Sequence, residues 1–175
     1  TLSKKDYIKR ISSSTYRSQL RGGKGVRGMT TREGDALQHM LFADTHDHLL
    51  FFTDRGRVYR VRCFEIPGDT SRTSRGTPGM NLLSLSQGEG INAVLAIPTF
   101  DLDGQLVIAT RKGKVKRLRL RDLINMRRNG LIFMNLEKDD SIVSVRRLEE
   151  GDDVLMVTAL GQSICFPSSQ APVRG

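Results

Sequence analysis

The sequence predicts an all-β fold: a propeller-like array of three to four blade-like units running through residues 1–175. Three observations predict it. One pattern recurs four times at a period of about 50 residues. Each unit reads as roughly four short strands. Helical periodicity is hard to find, with room for one short turn in Arg121–Arg128. Radially repeated four-stranded units of this size are propeller-like.

The repeated pattern is an apolar run, a Ser or Thr, a tight polar turn and an alternating strand. The second copy runs from Leu49 to Val61, the third from Leu106 to Leu118, the fourth from Val154 to Phe166, and a shorter first copy from Leu2 to Ile11. The turn residues Asp6, Gly56, Gly113 and Gly161 recur 50, 57 and 48 residues apart. Glycine takes positive φ without a Cβ penalty, and Asp tolerates it better than most residues, so each copy reads as a two-strand hairpin. The incoming strands are apolar on both faces and should be central. The outgoing strands alternate and should keep one face wet.

A second repeated piece lies between the hairpins. Gly25–Met29 is answered by Gly76–Met80 and more loosely by Gly130–Met134, each followed by a strand-like stretch, at Met40–Ala43, Ala93–Ile97 and Ile142–Val145.

The chain carries 28 Lys+Arg against 19 Asp+Glu, a formal charge of +9. That balance points to a polyanion as partner. Without Trp and with only three Tyr, stacking on unpaired bases is a poor candidate for the binding mode. No apolar run approaches the ~20 residues of a membrane span, and no secretory signal opens the chain. Cys63 and Cys165 read as buried free thiols. His39, His46 and His48 read as solvated loop residues, since no ligand spacing for a metal accompanies them.

Charge is segregated along the units. Residues 4–32 hold nine Lys/Arg and one acid, and residues 33–54 hold five acids and no Lys/Arg. Residues 111–128 hold nine Lys/Arg and one acid, and residues 137–153 hold seven acids and three Lys/Arg. Arg10, Arg60 and Arg117 share one position of the outgoing strand, and Arg62 and Arg119 share the next position on the same face. Same-sign charge at one point of successive units makes a basic belt, to which Lys9, Lys114 and Lys116 add. The fourth copy has Cys165 at the arginine position and should contribute less.

The sharpest local motif is Gln19-Leu20-Arg21-Gly22-Gly23-Lys24-Gly25, flanked by Arg17 and Arg27. Glycines expose backbone N–H groups while Arg and Lys supply charge, the chemistry of a phosphate-contacting loop. A nucleotide P-loop is excluded, because Ser18 and Gly25 stand where it needs Gly and Ser or Thr. The segment closely resembles the box Gln-Arg-Arg-Gly-Gly-Lys-Gly of the C-terminal domain of DNA gyrase A subunits, with Leu20 in place of the first Arg. Tyr7–Arg10, Leu50–Tyr59, Glu65-Ile66-Pro67 and Asn81-Leu82-Leu83 are similar to the same family, and the likeness runs the whole chain.

The resemblance implies a partial β-pinwheel, the N-terminal half of a six-unit domain. It implies a domain that wraps double-stranded DNA around a basic rim in a cytoplasmic bacterial enzyme, so that the holoenzyme can introduce negative supercoils. The partners it implies are the gyrase B subunit plus a second copy of the gyrase A protein. ATP and Mg²⁺ would be used by other domains, with no cofactor, metal or catalytic residue in this chain. The box would fasten the far end of the wrap. The related topoisomerase IV C-terminal domain and a propeller-type protein-interaction module with a basic rim remain as rivals.

Overall fold

The computed structural model describes residues 1–16, 29–31, 33–100 and 103–173. In chain order the strands are β1 (Leu2–Ser3), β2 (Tyr7–Ile8), β3 (Leu37–His39), β4 (His48–Thr53), β5 (Arg57–Arg62), β6 (Thr77–Pro78), β7 (Ile91–Ile97), β8 (Gln105–Thr110), β9 (Val115–Arg119), β10 (Leu131–Ile132), β11 (Ile142–Leu148), β12 (Asp153–Val157) and β13 (Ser163–Pro167). Among the described residues the helical elements are short 3-10 turns, one of them Leu120–Leu123 inside the basic stretch. The all-β expectation holds.

Four hairpins carry the array: β1–β2, β4–β5, β8–β9 and β12–β13. Their turn residues all take positive φ, Asp6 at 60°, Gly56 at 72°, and Gly113 and Gly161 at 82°. At each turn the same backbone bond closes the loop, from Asp6, Gly56, Gly113 and Gly161 N–H to the carbonyls of Ser3, Thr53, Thr110 and Thr158. The sheets have the orders β3-β1-β2-β6, β10-β5-β4-β7, β11-β8-β9 and β12-β13. Incoming strands β1, β4 and β8 are central, as expected, whereas among the described residues β12 pairs only with β13.

The sheets are interlocked. β6 follows the second hairpin in sequence but pairs with β2 of the first, and β10 follows the third hairpin but pairs with β5 of the second. Gly76 and Gly130 open these returning strands at φ of 82° and 79°. A Cβ at Gly130 would stand 2.8 Å from the Tyr59 ring, and one at Gly76 would run into the Ile8 carbonyl oxygen. Only glycine lets the returning backbone come this close.

One acid per unit fixes the strand that follows it. Asp35 accepts from the Ser3 hydroxyl at 2.8 Å and from Lys5 N–H at 3.0 Å. Asp140 accepts from Lys112 N–H at 3.0 Å. Glu89, only 5% exposed, accepts from the Thr53 hydroxyl at 2.7 Å, Ser86 N–H at 2.8 Å and the Tyr59 hydroxyl at 3.3 Å. Each strand starts two residues after its acid, at Leu37, Ile91 and Ile142. That rule places β3 earlier than the expected Met40–Ala43, which is not a strand.

Burial alone would raise the Glu89 pKa, but the bonds from Ser86, Thr53 and Tyr59 hold it below the ordinary glutamate value. A depressed carboxylate contributes stability at pH above its unfolded value and loses it as pH falls through the folded one. Glu89→Gln is therefore expected to lower stability at neutral pH and to flatten its decline on acidification below about pH 4. Urea melts across that range test this; an acid limb as steep as the unmodified chain's would refute the assignment.

The core is two clusters separated by the second sheet. Leu49, Phe51, Tyr59 and Val61 face the first sheet, while Leu50, Phe52 and Val58 face the third together with Leu106, Ile108 and Leu118. The alternation in β5 thus separates one core from another, not core from water. This corrects the expected wet face. A second correction concerns the last hairpin, where Cys165 is exposed although Cys63 is buried. Among the described residues β12 and β13 pair only with each other, and Cys165 lies with Leu155 and Val157 on their exposed face, while Val154, Met156 and Phe166 on the other face are half-buried.

Candidate nucleic-acid interface

Half of the candidate residues lie outside the described residues: Arg17, Gln19, Arg21, Gly22, Gly23, Lys24, Gly25 and Arg27. Of the other half, Lys9 and Arg10 follow β2, Arg60 and Arg62 are on β5, Lys114 precedes β9, and Lys116, Arg117 and Arg119 are on β9.

Lys9 is not on the surface. It is 2% exposed, and its ammonium donates to the Arg72 carbonyl and, at 3.2 Å, to that of Ser74. Burial lowers its pKa. Its position next to Arg10 suggested a phosphate contact, but the returning segment covers it.

Arg10, Arg60 and Arg117 are half-buried and face the next unit. Each donates to the carbonyl of the residue immediately after that unit's 3-10 turn. Arg10 Nε reaches Ile66 O at 2.9 Å, Arg60 Nη1 reaches Ile124 O at 2.8 Å, and Arg117 Nε reaches Ala171 O at 2.8 Å. Arg117 adds Ser169 O at 3.0 Å and Gln105 Oε1 at 3.2 Å. Arg60 also stands over the Phe100 ring, 5.4 Å from its centroid. A guanidinium and a carbonyl make a charge-assisted bond, and Arg can hold two acceptors at once. The shared sequence position therefore reflects a shared structural contact.

Arg62 and Arg119 are half-buried too, and Arg62 Nη1 donates to His46 O at 2.6 Å. Lys114 pairs with Glu137 at 2.5 Å, an exposed ion pair worth little in water. Lys116 Nζ donates to the Phe133 carbonyl at 2.5 Å.

Apart from Lys114, these candidates are not exposed, and other cations are. Arg75, Arg111, Lys112, Arg121, Arg127, Arg128, Arg146 and Arg147 are exposed, most of them at hairpin turns or in the segments after the outgoing strands. Five of these eight lie in the basic stretch 111–128, where the charge run read without the strand alternation finds them; Arg146 and Arg147 lie in the acidic stretch 137–153, and no charge run marks Arg75.

Of the histidines, His46 is exposed, whereas His39 and His48 lie half-buried in β3 and β4, not in loops. Burial, Arg62 and Arg60 together lower the His48 pKa. Among the described residues no group of three or more His, Cys, Asp or Glu is placed to hold a metal. Tyr59 is 1% exposed and donates its hydroxyl to Ser84 O at 2.9 Å. No helix among the described residues is long and apolar enough to cross a membrane.

Known proteins resemble this arrangement throughout. A family model described as DNA gyrase C-terminal domain, beta-propeller, matches residues 1–44, 47–98 and 104–149. The DNA gyrase A protein of Clostridium acetobutylicum is 43% identical over 166 residues, which is 95% of this chain and 20% of that protein. The DNA gyrase A protein of Staphylococcus aureus is 42% identical over 170 residues, 97% of this chain and 19% of that protein. The chain thus spans about a fifth of the length of these relatives. The crystal structure of the C-terminal domain of DNA topoisomerase IV superposes with a TM-score of 0.78 at 27% identity, covering 99% of this chain and 52% of that one. A DNA gyrase A C-terminal domain superposes at 0.74 with 24% identity, covering 99% and 57%, a likeness of fold alone.

Proposed function

This chain belongs to the DNA gyrase C-terminal domain family, and from that premise we propose that it binds duplex DNA with little sequence preference and bends it along a basic surface. The observation that carries the reading is the return of exposed arginines and lysines at hairpin turns and after outgoing strands, in a chain of net charge +9. Such a surface neutralises phosphates and does not read bases. Bent DNA offers more backbone to a curved row of cations than straight DNA does.

In the longer protein, the bend would set the DNA crossing presented to the cleavage machinery, so that ATP-driven strand passage introduces negative supercoils. Its partners would be the gyrase B subunit plus a second copy of the gyrase A protein, in the bacterial cytoplasm. ATP and Mg²⁺ would serve other domains. The box from Gln19 to Gly25 would hold the end of the bent segment. The topoisomerase IV domain superposes slightly better than the gyrase one, whereas the full set Gly22-Gly23-Lys24-Gly25 favours gyrase.

The test is a salt titration of duplex binding. With six or more phosphates neutralised, affinity is expected to fall at least about a thousandfold between 50 and 200 mM salt, alike for unrelated sequences. Affinity that ignores salt, or that follows one sequence, would count against the reading. A parent enzyme that relaxes DNA but never supercoils it would favour the topoisomerase IV alternative.

A further inference from the structure

Resting on that DNA-binding reading, we propose that Arg10, Arg60 and Arg117 are positioning residues that latch the next unit's post-hairpin segment, and that exposed arginines on the latched segments, Arg127 and Arg128 foremost, contact the phosphates.

The latch recurs at three junctions with one acceptor position. In each, the acceptor is the residue after a 3-10 turn: Cys63–Glu65 before Ile66, Leu120–Leu123 before Ile124, Ser168–Gln170 before Ala171. The third unit's turn is one residue longer, yet the arginine still finds the residue after it. Backbone contacts reinforce the latch, with Asp69 N–H on Arg10 O at 2.9 Å and Arg117 N–H on Pro172 O at 2.8 Å. Lys9 adds its own hold on the Arg72 and Ser74 carbonyls. Each of these cations faces a neighbouring unit with at least one donor already held by that unit's backbone, a poor disposition for a phosphate.

What the latch fixes is a basic turn. Arg60 holds Ile124 O and, at 3.5 Å, Met126 O. Met126 is buried, the next two residues are Arg127 and Arg128, both exposed, and Gly130 N–H closes the turn on Arg127 O at 3.0 Å. Two arginines on a turn anchored at both ends present their charge with little backbone entropy left to lose on binding. At the preceding junction the segment held by Lys9 and Arg10 carries the exposed Arg75 in the same way.

Four variants of the whole chain separate the roles: Arg60→Gln, Arg60→Lys, Arg127→Gln with Arg128→Gln, and all three glutamine changes together. Amide exchange at Met126 and Gly130 is expected to quicken at least tenfold in both Arg60 variants, with β4 amides unchanged as the fold control. Lysine keeps the charge but loses the two-acceptor grip. The Arg127/Arg128 pair is expected to leave exchange alone and to make the salt slope shallower by about 1.8, at about 0.9 per phosphate. Adding Arg60→Gln to that pair should then cost little further affinity. A full additive loss in the triple variant, with normal exchange at Met126 and Gly130, makes Arg60 itself the phosphate contact and overturns the proposal. So does an unchanged slope in the Arg127/Arg128 pair. Salt-independent binding by the unmodified chain sinks the DNA reading instead, and the exchange data still decide whether the latch exists.

Discussion

Replacing Gly56 with alanine is expected to destabilise the protein far more than the same change at Gly113, although the two occupy one position of the repeat. Both have positive φ, at 72° and 82°, so both changes incur the left-handed strain of about 1–2 kcal/mol. The surroundings differ. Nothing lies within 4 Å of a Cβ at Gly113, whereas a Cβ at Gly56 would collide with the Met134 carbonyl oxygen. That oxygen belongs to the segment that completes the second sheet, and it cannot simply withdraw. Phe133 and Met134 N–H both donate to Gly56 O, at 3.0 and 3.4 Å, and β10 is anchored just before them. Moving Met134 also disturbs Phe133, whose ring packs edge-on against Phe52 at 5.4 Å. The expected cost at Gly56 is upward of about 3 kcal/mol, in the range of severe core changes. At about 2–4 °C per kcal/mol for a chain of this size, thermal melts should separate the variants by several degrees. Equal losses at the two sites would mean that β10 does not dock as described.

Replacing Arg21 to Gly25 with alanines is expected to abolish bending of long duplexes while short duplexes bind nearly as before. On the proposed reading the box supplies the last contacts of a long path. A duplex too short to bend never reaches it. A longer one must meet an elastic cost of about 1–6 kcal/mol for a 20–30 base-pair site, with fewer contacts to offset it. On the same reading, which puts the strand chemistry in other domains, supercoiling by the full-length enzyme should fall while relaxation survives. Bending measured by fluorescence transfer between duplex ends, paired with supercoiling and relaxation assays, decides the matter. Normal bending, or loss of relaxation along with supercoiling, would end the fastening role.

The hairpins were legible because their turns need particular residues. Asp6, Gly56, Gly113 and Gly161 announce themselves by type and spacing, and the central strands by apolar residues on both faces. Orientation was not legible. The alternation of β5 looks the same whether its second face meets water or another sheet, and only packing shows that Val58 and Tyr59 serve different cores. The shared register of Arg10, Arg60 and Arg117 was legible, but their partners are carbonyls more than fifty residues away, which no local pattern encodes. The true start of β3 was encoded, by Asp35, but its meaning shows only beside Glu89 and Asp140. Cys165 was misjudged because burial depends on neighbouring sheets, and Cys165 lies on the face of the two-stranded last sheet that is left exposed.

The exchange of strands between units also sets a timetable for synthesis. β2 leaves the ribosome some seventy residues ahead of its partner β6. At roughly 5–20 residues per second, the open edge of the first sheet waits about 4–14 seconds for the strand that closes it. The second sheet waits similarly, from β5 to β10. Throughout translation, then, the newest finished hairpin is always a template one strand short. The nascent array carries a moving vacancy that passes from unit to unit as the chain grows.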